Sequence, residues 1–114
     1  MLSTQDRKEA IRKFKELKPD AGIFAIRCTA TGRVWVGASR NLGASRKRSL
    51  FMLQSGGHFD RGLQQEWNGQ GEAAFQYEIL EQLADDVLPL AAADLLKQKR
   101  AQWAAELGAK RLDG

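Results

Sequence analysis

Cysteine is nearly missing from this 114-residue chain, with Cys28 standing alone, which excludes an internal disulfide and a thiolate zinc cluster and fits a reducing compartment. Its place inside an apolar run suits a small buried hydrophobe. Histidine and tyrosine occur once each, as His58 and Tyr77, so acid–base chemistry near neutral pH has one ordinary candidate. Proline is confined to Pro19 and Pro89, and each reads as a helix boundary. No stretch approaches the roughly 20 apolar residues of a membrane span. The opening residues, Met1-Leu2-Ser3-Thr4-Gln5-Asp6, hold no apolar leader, so a cytoplasmic protein without a membrane partner is expected. One further absence is local: no Asp or Glu lies between Arg33 and Gly57.

The length suits one domain with a core of modest size. The net charge of +4 and the sequence pI of about 9.5 fit a polyanionic partner only weakly, so the distribution of charge must carry that argument. Ser3 and Asp6 fit a helix start, and Ala10, Ile11, Phe14 and Leu17 recur on one face until Pro19 and Gly22 stop it. An amphipathic helix is therefore expected over 1–20, its remaining surface basic on balance. Two strands follow, Gly22 to Cys28 and Arg33 to Ala38, around a turn of Thr29-Ala30-Thr31-Gly32. If Cys28 pairs with Arg33, Ile26 falls opposite Trp35, and Phe24 lies diagonally on the same face. Phe24 and Trp35 would then look at one site, or simply form an aromatic core pair.

Asn41 is a plausible cap for a helix running through Ser45, Arg46, Leu50 and Leu53 to Gly56-Gly57. Arg40, Arg46, Lys47 and Arg48 make this the most concentrated positive segment of the chain. Cations near a helix start hold nucleic-acid phosphates with salt-sensitive, sequence-tolerant affinity, although a merely solvated basic helix has the same composition. Asp60, Leu63 and Trp67 fit a shorter helix ended by Asn68-Gly69-Gln70-Gly71, and Phe75, Tyr77 and Ile79 then alternate in a third strand. Asp85-Asp86 offers the start of a long last helix, with Pro89 in its first turn, Leu88, Leu95, Leu96, Trp103 and Leu107 as its stripe, and Gly108 as its stop. The expected fold is α+β: one small three-stranded antiparallel sheet flanked by helices, with an added N-terminal helix. It divides into the helix of 1–20, a core over 21–83, and a long helix over 84–114 that completes the same domain.

Gly22-Ile23-Phe24, Val34-Trp35-Val36-Gly37, Asn41-Leu42, Arg46, Leu63-Gln64-Gln65-Glu66-Trp67, the Gly71 turn and Phe75 to Glu81 occur in a telling order. In that order and spacing they resemble a GIY-YIG nuclease domain from about Ala21 to Leu83, with Trp103 fitting the last helix more loosely. The resemblance implies the sheet described above, with Gly37 allowing close approach beside an active surface. It also implies hydrolysis of a nucleic-acid phosphodiester with one divalent metal, Mg²⁺ or Mn²⁺. In the family two signature tyrosines, an arginine on the next helix and a glutamate on a later helix do this work. The tyrosines match Phe24 and Trp35, and the arginine matches Arg46 if one residue is inserted in the preceding turn. Phenylalanine has no proton to exchange and indole can only donate, so neither serves as a base.

Registering Trp103 on the family's late-helix aromatic places Arg100 where the glutamate would stand, and an arginine cannot ligate a hard cation. No metal ligand is therefore assigned, and Asp94 or Glu106 would substitute only in another helix register. His58, where some family members place a histidine, is the candidate general base, or else a locally hydrogen-bonded residue at a helix start. Tyr77 reads as core packing, and Glu81 as solvent-facing or paired with a base. The expected function is nucleic-acid binding, DNA rather than RNA, with nuclease activity impaired or absent. Arg40, Arg46, Lys47 and Arg48 would hold phosphate, and Trp35, if exposed, would stack on an unpaired base. The alternatives are an active metal-dependent endonuclease using Arg46 and His58, and a protein-interaction module on a degenerate nuclease fold.

Overall fold

The computed structural model describes residues 20–84 and 87–112. The helix expected over 1–20, apart from Asp20, and the helix-start signal Asp85-Asp86 lie outside them. The strand Gly22–Cys28 (β1) is buried at every position but Arg27, because it runs through the middle of the sheet with helices on both faces. It pairs antiparallel with Val34–Ser39 (β2), Ile26 opposite Trp35 as the turn length required. Gly32 closes that turn with φ of 77°, and Cys28 N–H donates to Arg33 O at 2.9 Å.

Leu42–Ser55 (α1) starts at Asn41, whose side chain accepts from Ala44 N–H, and ends at left-handed Gly56. Arg61–Gln70 (α2) is capped by Asp60, which accepts from Leu63 N–H. It continues through Asn68 and Gly69, and the chain turns only at Gly71. After a short 3₁₀ turn at Glu72–Ala74 comes Phe75–Gln82 (β3), antiparallel to β1. Pro89–Leu107 (α3) has proline at its start and Gly108 at its left-handed end. Among the described residues no helix is long and apolar enough to cross a membrane.

The sheet has four strands in the order β3-β1-β2-β4, which corrects the three-stranded antiparallel expectation. Lys110–Arg111 (β4) runs parallel to β2, with Trp35 opposite Lys110, so the sheet is mixed. Gly108, at φ of 61°, lets the chain double back from α3 and cover an edge that β2 would otherwise expose. Two cores result. Phe24, Ile26, Cys28 and Trp35 face Leu42 and Leu53 of α1, Leu63 of α2, and Leu112. Ile23 and Val36 face Leu96 and Ala104 of α3, with Trp103 and Leu107 beside them.

A bulge in β3 breaks the alternation: Phe24 is opposite Ile79, yet Ile23 is opposite Glu81. Leu80 is the extra residue, and the slip sends Glu81 to the α3 side instead of the α1 side. There its carboxylate accepts from Lys99 and from Trp103 Nε1 at 3.0 Å. These two partners hold the carboxyl below its ordinary range, Lys99 first.

Candidate functional site

The signature positions sit under α1, and a glycine decides how closely. A Cβ at Gly37 would lie 2.4 Å from Phe24 Cζ, so the Phe24 ring occupies the space that only glycine leaves open. On its other side Phe24 stacks on Tyr77, with ring centroids 5.0 Å apart and planes 15° apart. The Tyr77 hydroxyl donates to Leu42 O at 3.3 Å, and the Arg46 guanidinium lies 5.7 Å from the Tyr77 ring centroid. Burial pushes the Tyr77 phenol up, against the opposing effects of Ser45 and the Arg46 charge, so this remaining phenol is not activated for proton transfer.

Helix α1 divides the surface above the sheet into two clefts that share Ser49. One, of about 220 Å³, takes Arg46, Glu72, Phe75 and Tyr77 among its walls. The other, also about 220 Å³, has Phe24, Gly37 and Leu112 below, Ser45, Arg48 and Met52 from α1, and Phe59 from the connection to α2. Arg46, matched to the family's arginine by allowing one insertion, belongs to the first cleft. Ser45 and Arg48 reach the second, where Phe24 and Gly37 lie, whereas Trp35 borders a separate cleft beside Gly62 and Lys110, so the two signature positions do not share one cleft.

Trp35 was expected as a stacking surface only if exposed; it is 3% exposed and packs in the α1–α2 core. The indole therefore offers no face to a base, and this expectation is corrected. His58 is 5% exposed and lines neither cleft. Its Nδ1 accepts from Asp60 N–H at 3.0 Å, which leaves Nε2 as the protonated nitrogen, buried without a partner. Burial lowers its pKa from the ordinary 6.5, with Asp60 opposing.

A divalent metal does not fit these residues. Arg100, at the position the resemblance gives to glutamate, donates from Nη1 to Leu112 O at 2.9 Å. Asp94 and Glu106 are exposed on α3 and line neither cleft. Among the described residues no three His, Cys, Asp or Glu side chains gather into a possible metal site. Glu72, the one carboxylate in the Arg46 cleft, accepts from Gln54 Nε2 at 3.0 Å.

Comparison with solved structures decides the fold. The catalytic domain of the intron endonuclease I-TevI, in a point-mutant form, superimposes with a TM-score of 0.66 and 28% identity, covering 78% of this chain and 84% of that one. The fold is GIY-YIG-like. A second structure, the catalytic domain of homing endonuclease I-TevI, has a TM-score of 0.69 and 26% identity over 82% of this chain and 99% of that one. No protein-family model matches the chain, and no curated protein matches its sequence. On this GIY-YIG-like frame, the residues that reading the sequence missed are Phe59, Met52, Ser45 and Ser49. The two serines occupy the buried side of α1 one turn apart, a spacing visible in the sequence once the helix is placed.

Proposed function

We propose that this GIY-YIG-like chain binds nucleic acid, DNA in preference to RNA, with phosphodiester hydrolysis impaired or absent. The observation that carries the reading is a carboxylate-free, cation-rich α1 above a signature cleft that holds no side chain able to take up a proton. Arg40, Arg46, Lys47 and Arg48 are all exposed, and among the described residues none of them forms an ion pair. Four other cations are engaged, Arg27 with Glu78, Arg33 with Glu66, Lys99 with Glu81 and Lys110 with Asp60, while Arg61, Lys97 and Arg111 are exposed but dispersed over other elements. Unpaired exposed cations on one helix suit phosphates better than internal pairing. Similarity to the catalytic domain of a homing endonuclease supports DNA as the partner.

Hydrolysis needs a path for the nucleophile's proton and preorganised charge for the phosphate. Phe24 supplies no path, Tyr77 is engaged with a carbonyl and pushed up in pKa, and His58 is turned into the protein. At the position the resemblance gives to the metal-binding glutamate stands Arg100, whose charge cannot ligate a cation.

The test is incubation of purified protein with single-stranded DNA, duplex DNA and RNA, with Mg²⁺ or Mn²⁺ and with chelator. Salt-sensitive binding without cleavage, weakened by Lys47→Glu, is expected. Metal-dependent cleavage lost in Arg46→Ala would overturn the impaired reading in favour of an active endonuclease. Absence of binding at low salt would remove nucleic acid as the partner.

A further inference from the structure

The second cleft joins features that phosphate binding alone does not require. Its floor is apolar, because Phe24 puts a hydrocarbon edge against Gly37, and Leu112 lies beside them. Phe59 lines it while remaining 53% exposed. One face of the Phe59 ring rests on the His58 imidazole, centroids 4.4 Å apart and planes 26° apart. The backing imidazole is held in turn, since Asp60 N–H donates to its Nδ1 and His58 N–H donates to Gln64 Oε1 at 3.0 Å. Phe59 is thus an aromatic surface on a fixed support, partly open to the groove. Arg48 supplies charge at the same groove, and the buried Ser45 and Ser49 form part of its wall.

We propose that this groove receives an unpaired nucleobase stacked on Phe59, with Arg48 holding an adjoining phosphate. The proposal rests on the reading of the chain as a nucleic-acid-binding domain and adds a preference for single strands. Charge and shape select this occupant. No Asp or Glu lines the groove, whereas the neighbouring cleft carries Glu72, which repels an anionic strand. The volume of about 220 Å³ far exceeds the roughly 10–15 Å³ of such space that one water needs, and the apolar floor suits a flat ring rather than a hydrated ion. Along α1 the pattern continues: Lys47 and Phe51 are four residues apart and both exposed, Phe51 at 69%, so a second cation–aromatic pair stands beside the first. Aromatic faces above a basic track are how sequence-tolerant single-strand binding is built. A phenylalanine at the position that the resemblance gives to a tyrosine thus both withholds a proton carrier and supplies an apolar floor.

The test uses fluorescent oligo(dT), an abasic strand of equal length and charge, oligo(rU), and a duplex of the same length. The wild type is expected to bind oligo(dT) about tenfold or more tighter than the abasic strand, the size of one base-stacking contact. Phe59→Ala and the bulkier Phe59→Leu should bind the two strands alike, with abasic and duplex affinities unchanged. A general loss of binding in Phe59→Leu whose circular dichroism matches the wild type would overturn the proposal, because Phe59 would then serve every strand and not the base. Equal affinity of the wild type for base-bearing and abasic strands would also overturn it while leaving phosphate binding standing. A preference that survives in both Phe59 variants would overturn the assignment to this groove. Binding of no strand at low salt would sink the parent reading and this proposal together. The oligo(rU) arm tells whether the base is taken from DNA alone or from RNA as well.

Discussion

His58 shows how one buried side chain sets a pH response. Its imidazole accepts from Asp60 N–H, its Nε2–H is buried without an acceptor, and burial lowers its pKa from 6.5. The folded chain therefore keeps His58 neutral where the unfolded chain has begun to bind a proton. Stability from this residue is complete above pH 6.5 and falls as the pH drops below that value. His58→Asn keeps an acceptor for Asp60 N–H and cannot titrate. Urea denaturation at pH 7.5 and 5.5 should show the wild type losing more stability on acidification than the variant; equal losses would rule His58 out. Whether such residues face solvent was not legible in the sequence. Alternation correctly put Trp35 opposite Ile26, but only the placement of α2 and Leu112 shows that the indole is covered. Phe59 carried no periodic signal at all, lying between a helix stop at Gly56 and a cap at Asp60. Both neighbours were readable from turn chemistry, while the aromatic between them was not.

Elements with strong end signals were the ones that could be placed in advance. Asn41 and Gly56 bound α1 as their chemistry requires, and Asp60 starts α2. Two features escaped because neither has a sequence period. Strand β4 spans only Lys110–Arg111, and the β3 bulge at Leu80 reverses the face of Glu81 without altering composition. Asp60 joins these scales, since its largely buried carboxylate caps α2 at 2.9 Å from Leu63 N and meets Lys110 of β4 at 3.3 Å. Asparagine can keep the cap but not the ion pair, which is largely exposed on its Lys110 side. Asp60→Ala should therefore cost about 1–2 kcal/mol of stability, as loss of a helix cap does, whereas Asp60→Asn should cost under about 1 kcal/mol. Chemical denaturation of the two variants checks this. Equal losses would mean that the link to β4, not the cap, is what Asp60 contributes.

At the scale of the molecule, a modest net charge becomes an argument only through its placement. Among the described residues the four cations Arg40, Arg46, Lys47 and Arg48 project together from one helix and the turn before it, while Arg27, Arg33, Lys99 and Lys110 are engaged in ion pairs and Arg61, Lys97 and Arg111 stand exposed on other elements. This division follows from topology. Residues 33–57 carry no carboxylate, and the carboxylates of β3 and α2 point to other partners: Glu81 is carried to the α3 side by the bulge, and Glu66 to the hairpin by Arg33. The order of motifs made the fold legible, because glycines and caps mark where elements end, but it could not show which cations were already taken. If all four engage duplex phosphates, log affinity against log salt should fall with a slope of about −3.6, at roughly 0.9 per neutralised phosphate. Lys47→Glu should make that slope shallower by about 1 and weaken every duplex alike, because phosphate contacts carry no sequence information. Fluorescence anisotropy across a salt series measures both. A slope near zero would mean that these cations do not meet phosphate, and an unchanged slope in Lys47→Glu would move the interface off α1.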